Sequence, residues 1–540
     1  MTPLVNLPAT PADRPSLVSR DCAGSRVLLI KPPFFTPWTP PLGMASLKAF
    51  IQKRGGEVTC VDLNVDSVLW NTHHEYFAAL QGPAKETSCD GYSPLWWILN
   101  AHLLARLNGA DRNKSLAVVQ HICPLFGVSY TDAGLRLADD LVDRFFRRLE
   151  LLIDRIDFSH FTLVGTSTYT TSLASSLFIL RRVKSAYPSV KTVVGGGVFA
   201  DDLALGSDNL SVLEREYTFV DHAIVGEGER LLAMLLSGQC DNRRIISSQD
   251  LPGANIRIDE LPIPDFGDEV DNYFELSIEG ARSCPFQCSF CSETIQWGTY
   301  RKKPSSLFVD QIEALVQRYR NNRFFMGDSL MNPYINGLAE ELIQRNLRIS
   351  YDGYLRADRS VAELTRVRQW SNSGLARVRL GIESASARLL QLMDKATTPG
   401  VISTAIKNLA EAGVRPTTYW IVGFPSETET EFQETLEFIG SHAKYIYELE
   451  AHPFAYYPYG QVGSRQYTPT SLYPDEITSI LRFKVWDVAG CVPSRETRYE
   501  RLKQISAFAA EHGLINIYTL PQRYAAEERW RRLWPVAASA

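Results

Sequence analysis

At 540 residues the chain is too long for one ordinary domain, and two or three are expected. Hydrophobic content of 45% and charged content of 22% are those of a globular protein, and a formal charge of −5 gives no basis for a nucleic-acid partner. No apolar run has membrane-spanning length, no N-terminal apolar segment reads as a secretory signal, and the nine cysteines lack a disulfide-framework spacing, so a cytoplasmic, membrane-free protein is expected.

Residues 1–25 carry four prolines and neither helical nor strand period, and they read as a flexible leader. From Arg26 onward, VLLIKPP reads as a short buried strand. PLGMASLKAFIQKRGG reads as a helix stopped by Gly55-Gly56, and VTCVDLN as a second strand. Further strands are expected at 161–169, 191–199 and 222–229, with a helix between the first two of these. Strands alternating with helices imply a doubly wound parallel sheet over 26–250, whose ligand belongs at the carboxyl ends of the strands. Those ends are rich in small residues: Thr166, Ser167 and Thr168, then Gly195, Gly196 and Gly197, then Gly226, Glu227 and Gly228. Pro41, Leu42 and Gly43 of PPLG and Asn64 of DLN join them. Small side chains let a bulky ligand approach the backbone, although one such turn alone would be ordinary for this kind of sheet.

Residues 70–155 carry helical periods and read as an insertion between the second and third strands. Trp96-Trp97 reads as core there, and His73-His74 as part of a solvated helix face. The proline-rich stretch 251–274 reads as a linker. A second series of strands is expected over 275–470, at FELSI, FFMGDS, RISYDGYLRAD, RVRLGIESAS, RPTTYWIVGFP and YIYELEAHPFAYYP. Six β/α units fit a partial barrel with its chemistry at the strand C-terminal ends. Residues 471–540 read as a helical C-terminal cap.

The loop after the first strand of the second series, GARSCPFQCSFCSE, sets Cys284, Cys288 and Cys291 in a C-x3-C-x2-C array. Iron–sulfur cubes are held by cysteine thiolates, usually four, so three leave one iron open to a small molecule. A closed zinc site wants four ligands, and no histidine lies between His222 and His442 to supply the fourth.

This array, with the aromatic Phe290 before its third cysteine, resembles that of the radical S-adenosylmethionine (SAM) enzymes. The first domain, with PPLG, DLN and the small strand ends, looks like that of the cobalamin-dependent branch. The resemblance covers roughly residues 26–460. It implies a 4Fe-4S cluster on the three cysteines, with SAM chelating the open iron. It also implies SAM contacts at Gly327, Asp328, Arg356 and Glu383, adenine contacts at Ile421, Val422 and Gly423, and cobalamin at the strand ends of the first domain. The cobalamin motif D-x-H-x-x-G is absent from the sequence, so cobalamin without a histidine ligand is implied. Trp38, Asn64 or Trp70 is placed beneath the corrin, with His73 or His74 as a rival ligand. The activity implied is transfer of a methyl group from SAM, via methylcobalamin, to an unactivated carbon of a small-molecule or peptide substrate, fed by an electron donor such as flavodoxin or ferredoxin. Three alternatives stay open: a non-methylating rearrangement, cyclisation or sulfur insertion; a methylthiotransferase using Cys22, Cys60 and Cys89; and a corrinoid sensor.

Overall fold

A computed structural model describes residues 21–35, 39–81, 95–200, 203–251, 256–267, 270, 273–472, 486–515 and 520–535. The expectations for residues 1–20, for Trp38, for Cys89 and for parts of the linker lie outside the described residues.

The apolar run after Arg26 becomes strand β1 (Arg26–Lys31), and the PPLG segment starts helix α1 (Leu42–Gln52). Strand β2 (Glu57–Asp62) follows. Four helices then fill the insertion: α2 (Ser67–Gln81), α3 (Leu95–Leu107), α4 (Arg112–Leu125) and α5 (Asp132–Ile153). Strand β3 (Leu163–Ser167), α6 (Leu173–Ala186), β4 (Lys191–Gly195), α7 (Asp208–Glu216), β5 (His222–Val225) and α8 (Gly228–Leu236) come next. A sixth strand, β6 (Ile245–Ser247), was not expected, because three residues are too short to show alternation. All six strands pair in parallel in the order β2-β1-β3-β4-β5-β6. That order turns back on itself between β1 and β3, which is where a doubly wound sheet opens a crevice for its ligand.

The second sheet has six parallel strands: β7 (Leu276–Ile278), β8 (Arg323–Met326), β9 (Ser350–Arg356), β10 (Leu375–Glu383), β11 (Arg415–Val422) and β12 (Glu448–Pro453). They pair in chain order, giving the expected partial barrel. Helices cover its outer face and close an apolar core built on Phe308, Trp370 and Trp420. The chain leaves β7 through Ala281–Arg282, which pairs with Arg301–Lys302 and pins both ends of the cysteine loop.

The C-terminal segment is not purely helical. Pro469–Ser471 pairs antiparallel with Trp486–Val488 before the helices Arg495–Glu511 and Leu520–Leu533. The first of these helices packs on β12 and also sends Tyr499 into the core of the first domain beside Phe126. Among the described residues no helix is long and apolar enough to cross a membrane.

Candidate active-site cavity

One cavity of ≈ 1210 Å³ runs from the strand ends of the first sheet to those of the second. Cys284, Cys288 and Cys291 all line it, as does Phe290. Cys288 is buried, and the other two thiols are half-buried. Among the described residues no three His, Cys, Asp or Glu groups converge as a single-ion site requires. The thiols face an open space instead, as a polynuclear group with a free coordination position needs. Burial pushes the Cys291 thiol up to about 12 and raises Cys284, so a metal bound there would have to displace their protons.

Gly327, Asp328, Arg356 and Glu383 also line the cavity. Arg356 ends β9 and is 4% exposed. Its Nη1 points at Cys288 Sγ at 3.4 Å, its guanidinium lies 4.1 Å over Phe286, and its Nε and Nη2 have no partner. A buried cation with unused donors beside the thiols suits an anionic ligand group such as a carboxylate. Asp328 accepts hydrogen bonds from the Ala281 amide and, at 2.6 Å, from the Tyr334 hydroxyl, and burial lifts its carboxyl to about 7. Glu383 is bound at 2.6 Å by Lys395, a residue that sequence reasoning missed because it sits in a loop twelve residues on.

Of the three residues expected on β11, Ile421 lines the cavity, whereas Val422 and Gly423 do not. Val422 points into the sheet core, as alternation demands once Ile421 faces the lumen. Gly423 has a different cause for its size. It sits at φ +72°, its amide donates to Glu427 at 2.7 Å, and a Cβ there would lie 2.1 Å from Arg498 Cγ.

In the first domain Pro41, Leu42, Gly43, Asn64, Thr166 and Ser167 line the cavity. So do Gly195, Gly196, Gly197, Gly226, Glu227 and Gly228. Thr168 does not: it is fully buried, its hydroxyl paired with Ser176 at 2.8 Å. Gly196, at φ +116°, is small because a Cβ would lie 2.5 Å from the Thr168 carbonyl oxygen, before any ligand is considered. Glu227 uses its carboxylate on Arg301, with Arg282 3.7 Å away.

Of the candidates for the lower face of a corrin, Asn64 lines the cavity, whereas Trp70 and His73 do not. Asn64 bridges the Phe35 amide (2.9 Å) and carbonyl (2.8 Å). The Trp70 indole donates to the Asn64 carbonyl and does not line the cavity. His73 is not on a solvated face: it is 3% exposed, stacked on Trp96 at 3.9 Å and packed by Phe77. His74, its neighbour, is exposed. Lys31, Tyr354, Arg379, Tyr419 and His452 line the cavity without having been singled out. The period of two would have found Tyr354 from Arg356, Arg379 from Glu383 and Tyr419 from Ile421.

Residues 278–439 match the family model described as the Radical SAM superfamily. An anaerobic magnesium-protoporphyrin IX monomethyl ester cyclase of Rubrivivax gelatinosus is 27% identical over 304 residues, covering 51% of this chain and 53% of that protein. An uncharacterised methyltransferase of Pyrococcus horikoshii is 25% identical over 327 residues, covering 56% of this chain and 68% of that protein. The chain thus spans about half the length of the cyclase relatives it matches. The structure of the radical S-adenosylmethionine methyltransferase TsrM from Kitasatospora setae, with cobalamin and a [4Fe-4S] cluster bound, superposes with a TM-score of 0.60 at 14% identity, covering 96% of this chain and 100% of that one. Residues 278–439 thus resemble the radical SAM superfamily, and the two-sheet fold of the whole chain is similar to that of the cobalamin- and cluster-bound methyltransferase TsrM.

Proposed function

We propose that the protein is a cobalamin-dependent radical SAM methyltransferase that places a methyl group on an unactivated carbon of a small-molecule or peptide substrate. The observation that carries this reading is the single cavity joining the cysteine loop to the small-residue strand ends of the first sheet. Two cofactors that must exchange a methyl group need one such space between them. Bound there, the cluster and SAM supply a radical and a methyl group, and the corrinoid relays that methyl group.

The chain's own residues orient these groups. Cys284, Cys288 and Cys291 would hold the cluster, three thiolates for a group that usually takes four. Arg356 offers unused donors to the SAM carboxylate, and Asp328 an acceptor to its amino group. Glu383, fixed by Lys395, suits the ribose hydroxyls, and Ile421 the adenine face. Pro41, Leu42, Gly43 and the turn at Gly226 and Gly228 supply the first-domain wall. Arg379, held to Asp352 at 3.1 Å and lying 4.6 Å over Phe325, forms a polar floor with Tyr354, Tyr419 and His452 for the substrate. A one-electron donor of the flavodoxin or ferredoxin class would feed the cluster.

The cyclase relatives favour a second reading, ring formation without methyl transfer. A substrate-free experiment separates the two. The reconstituted full chain is given hydroxocobalamin, a reductant and SAM with a deuterated methyl group. Methyl transfer predicts label on the corrinoid and released S-adenosylhomocysteine. Deoxyadenosine with no label on the corrinoid would favour the cyclase-like reading. Replacing Cys284, Cys288 and Cys291 together by Ala should remove about four irons per chain, and retention of iron would overturn the cluster assignment.

A further inference from the structure

We propose that the substrate carries a carboxylate and that Arg379, in the floor of the barrel, is the residue that binds it. The inference rests on the reading of the cavity as a radical SAM active site and adds the class of substrate.

Arg379 lies on β10 opposite Tyr354 of β9 in register, and both residues line the cavity. Phe325 of β8, Tyr419 of β11 and His452 of β12 line it as well, so rings surround the guanidinium. Side chains two apart on a strand share a face. Two residues beyond Arg379 comes Gly381, and two beyond Phe325 comes Gly327, and both glycines line the cavity. Neither strand therefore roofs the floor with a side chain of its own. At Gly381 the gap is built in: a Cβ there would lie 2.7 Å from Glu383 Oε1 and 3.0 Å from Lys395 Nζ.

The guanidinium is held in place but not used up. Nη2 donates to Asp352 Oδ2 at 3.1 Å, the Phe325 ring centre lies 4.6 Å away, and Nε is buried without a partner. Buried donors are rarely left unpaired, and an acceptor oxygen from a ligand would complete this one. The neighbouring charges are paired among themselves. Arg377 binds Glu448 and, at 2.8 Å, Thr417, and Glu450 meets His452 at 3.2 Å. Burial lifts the Glu275 carboxyl to about 7. None of Glu275, Asp352, Arg377, Glu448 and Glu450 lines the cavity, so the formal charge that the floor presents there is that of Arg379. A substrate amine would meet like charge. A phosphate dianion would call for a second cation, but Arg356 stands at Cys288 and Lys395 on Glu383. A carboxylate brings one negative charge and a planar pair of oxygens that suits a guanidinium. The rings beside it offer apolar area to the rest of the substrate.

The test is ligand-observed nuclear magnetic resonance, which reads weak binding, on the full chain reconstituted with cluster, hydroxocobalamin and SAM. Reductant is left out so that SAM stays intact and keeps Arg356 occupied. The probes are 3-phenylpropionate, its primary amide, 3-phenylpropylamine and phenyl phosphate. The acid should bind about tenfold or more tighter than the amide and the amine, and tighter than the phosphate. Arg379→Lys should keep part of that preference and Arg379→Met should lose it. Because Arg379→Met strands Asp352, the double variant Arg379→Met with Asp352→Asn is measured too, with iron content as the check that the barrel has folded. Equal binding of acid and amide, no binding of the acid, tighter binding of the amine or the phosphate, or an acid preference that survives in the double variant would each overturn the proposal. The deuterium-labelling experiment above uses no substrate and so fails separately. A labelled corrinoid without acid preference would sink this inference alone, and acid preference with an unlabelled corrinoid would sink the methyl-transfer reading and leave the carboxylate site standing.

Discussion

Asp328 carries one of the clearest residue-level consequences. Its carboxyl is 2% exposed and is lifted to about 7 by burial, with the hydrogen bonds from Tyr334 and the Ala281 amide opposing the shift. Its folded-state value thus lies above its unfolded one. The unliganded protein is stabilised by the neutral acid at low pH and loses that contribution as pH rises through about 7. A ligand ammonium prefers the carboxylate, so in the proposed role SAM binding tightens as pH rises toward and through about 7. The slope below that point approaches about tenfold per pH unit. Calorimetric titration across about pH 5.5 to 8.5 checks this. Asp328→Asn should flatten the profile, and a flat profile in the wild type would remove Asp328 from the site.

At the level of elements, the helical insertion is organised by a buried carboxylate. Asp139 on α5 accepts from His102 on α3 at 3.1 Å and from Ser115 on α4 at 3.0 Å, and it pairs with Arg112 at 3.1 Å. His102 in turn meets the Tyr76 hydroxyl on α2 at 3.0 Å. One carboxylate thereby fixes the packing of all four helices, and Tyr76, His102 and Asp139 are all buried. Asp139→Ala leaves buried donors without acceptors and should cost about 3 kcal/mol, read by urea unfolding. A loss below about 0.5 kcal/mol, as for a surface change, would mean the network is dispensable. None of this network was visible in the sequence, because its members lie 24 to 37 residues apart on separate helices. The strands of the two sheets were legible, since apolar runs and alternation are local signals, and only pieces of two or three residues escaped: β6 in the first sheet and the short antiparallel pairs outside both. The cysteine loop was legible because its three ligands fall within eight residues. Small size has two causes that the sequence does not separate: Gly196 lines the cavity and also yields to the Thr168 backbone, and Gly423 yields to Arg498, both through tertiary approach. The sequence misled at His73, whose burial depends on Trp96 from another helix.

At the scale of the whole molecule, the cavity exists only if the two sheets keep their strand ends facing, and a cluster of charges ties them together. Arg282, two residues before Cys284, binds Glu229 of the first domain at 2.6 Å and Glu279 at 2.5 Å. Glu229 begins α8 and accepts from Ser46 of α1 at 2.8 Å, so the pair links the cysteine loop to the turn at Gly226 and to the PPLG helix. Arg301, on the strand that pairs with Arg282, holds Glu227 from the same turn. Arg282 is 7% exposed and Glu229 4%, so removing the cation strands two carboxylates in a low-dielectric interior. Arg282→Met should therefore cost about 3–5 kcal/mol, more than an exposed pair could. The cost falls on the joint rather than on either core. Iron retention by the cysteine loop and corrinoid uptake by the first domain should accordingly decline together, although Arg282 is a ligand to neither. The double variant Arg282→Met with Glu229→Gln removes one of the stranded charges and should recover part of both properties, as a coupled pair does in a double-mutant cycle. Iron analysis and corrinoid absorbance on the same samples give the result. Loss of iron with full corrinoid uptake, or the reverse, would show that Arg282 serves one domain alone and that the joint is held elsewhere.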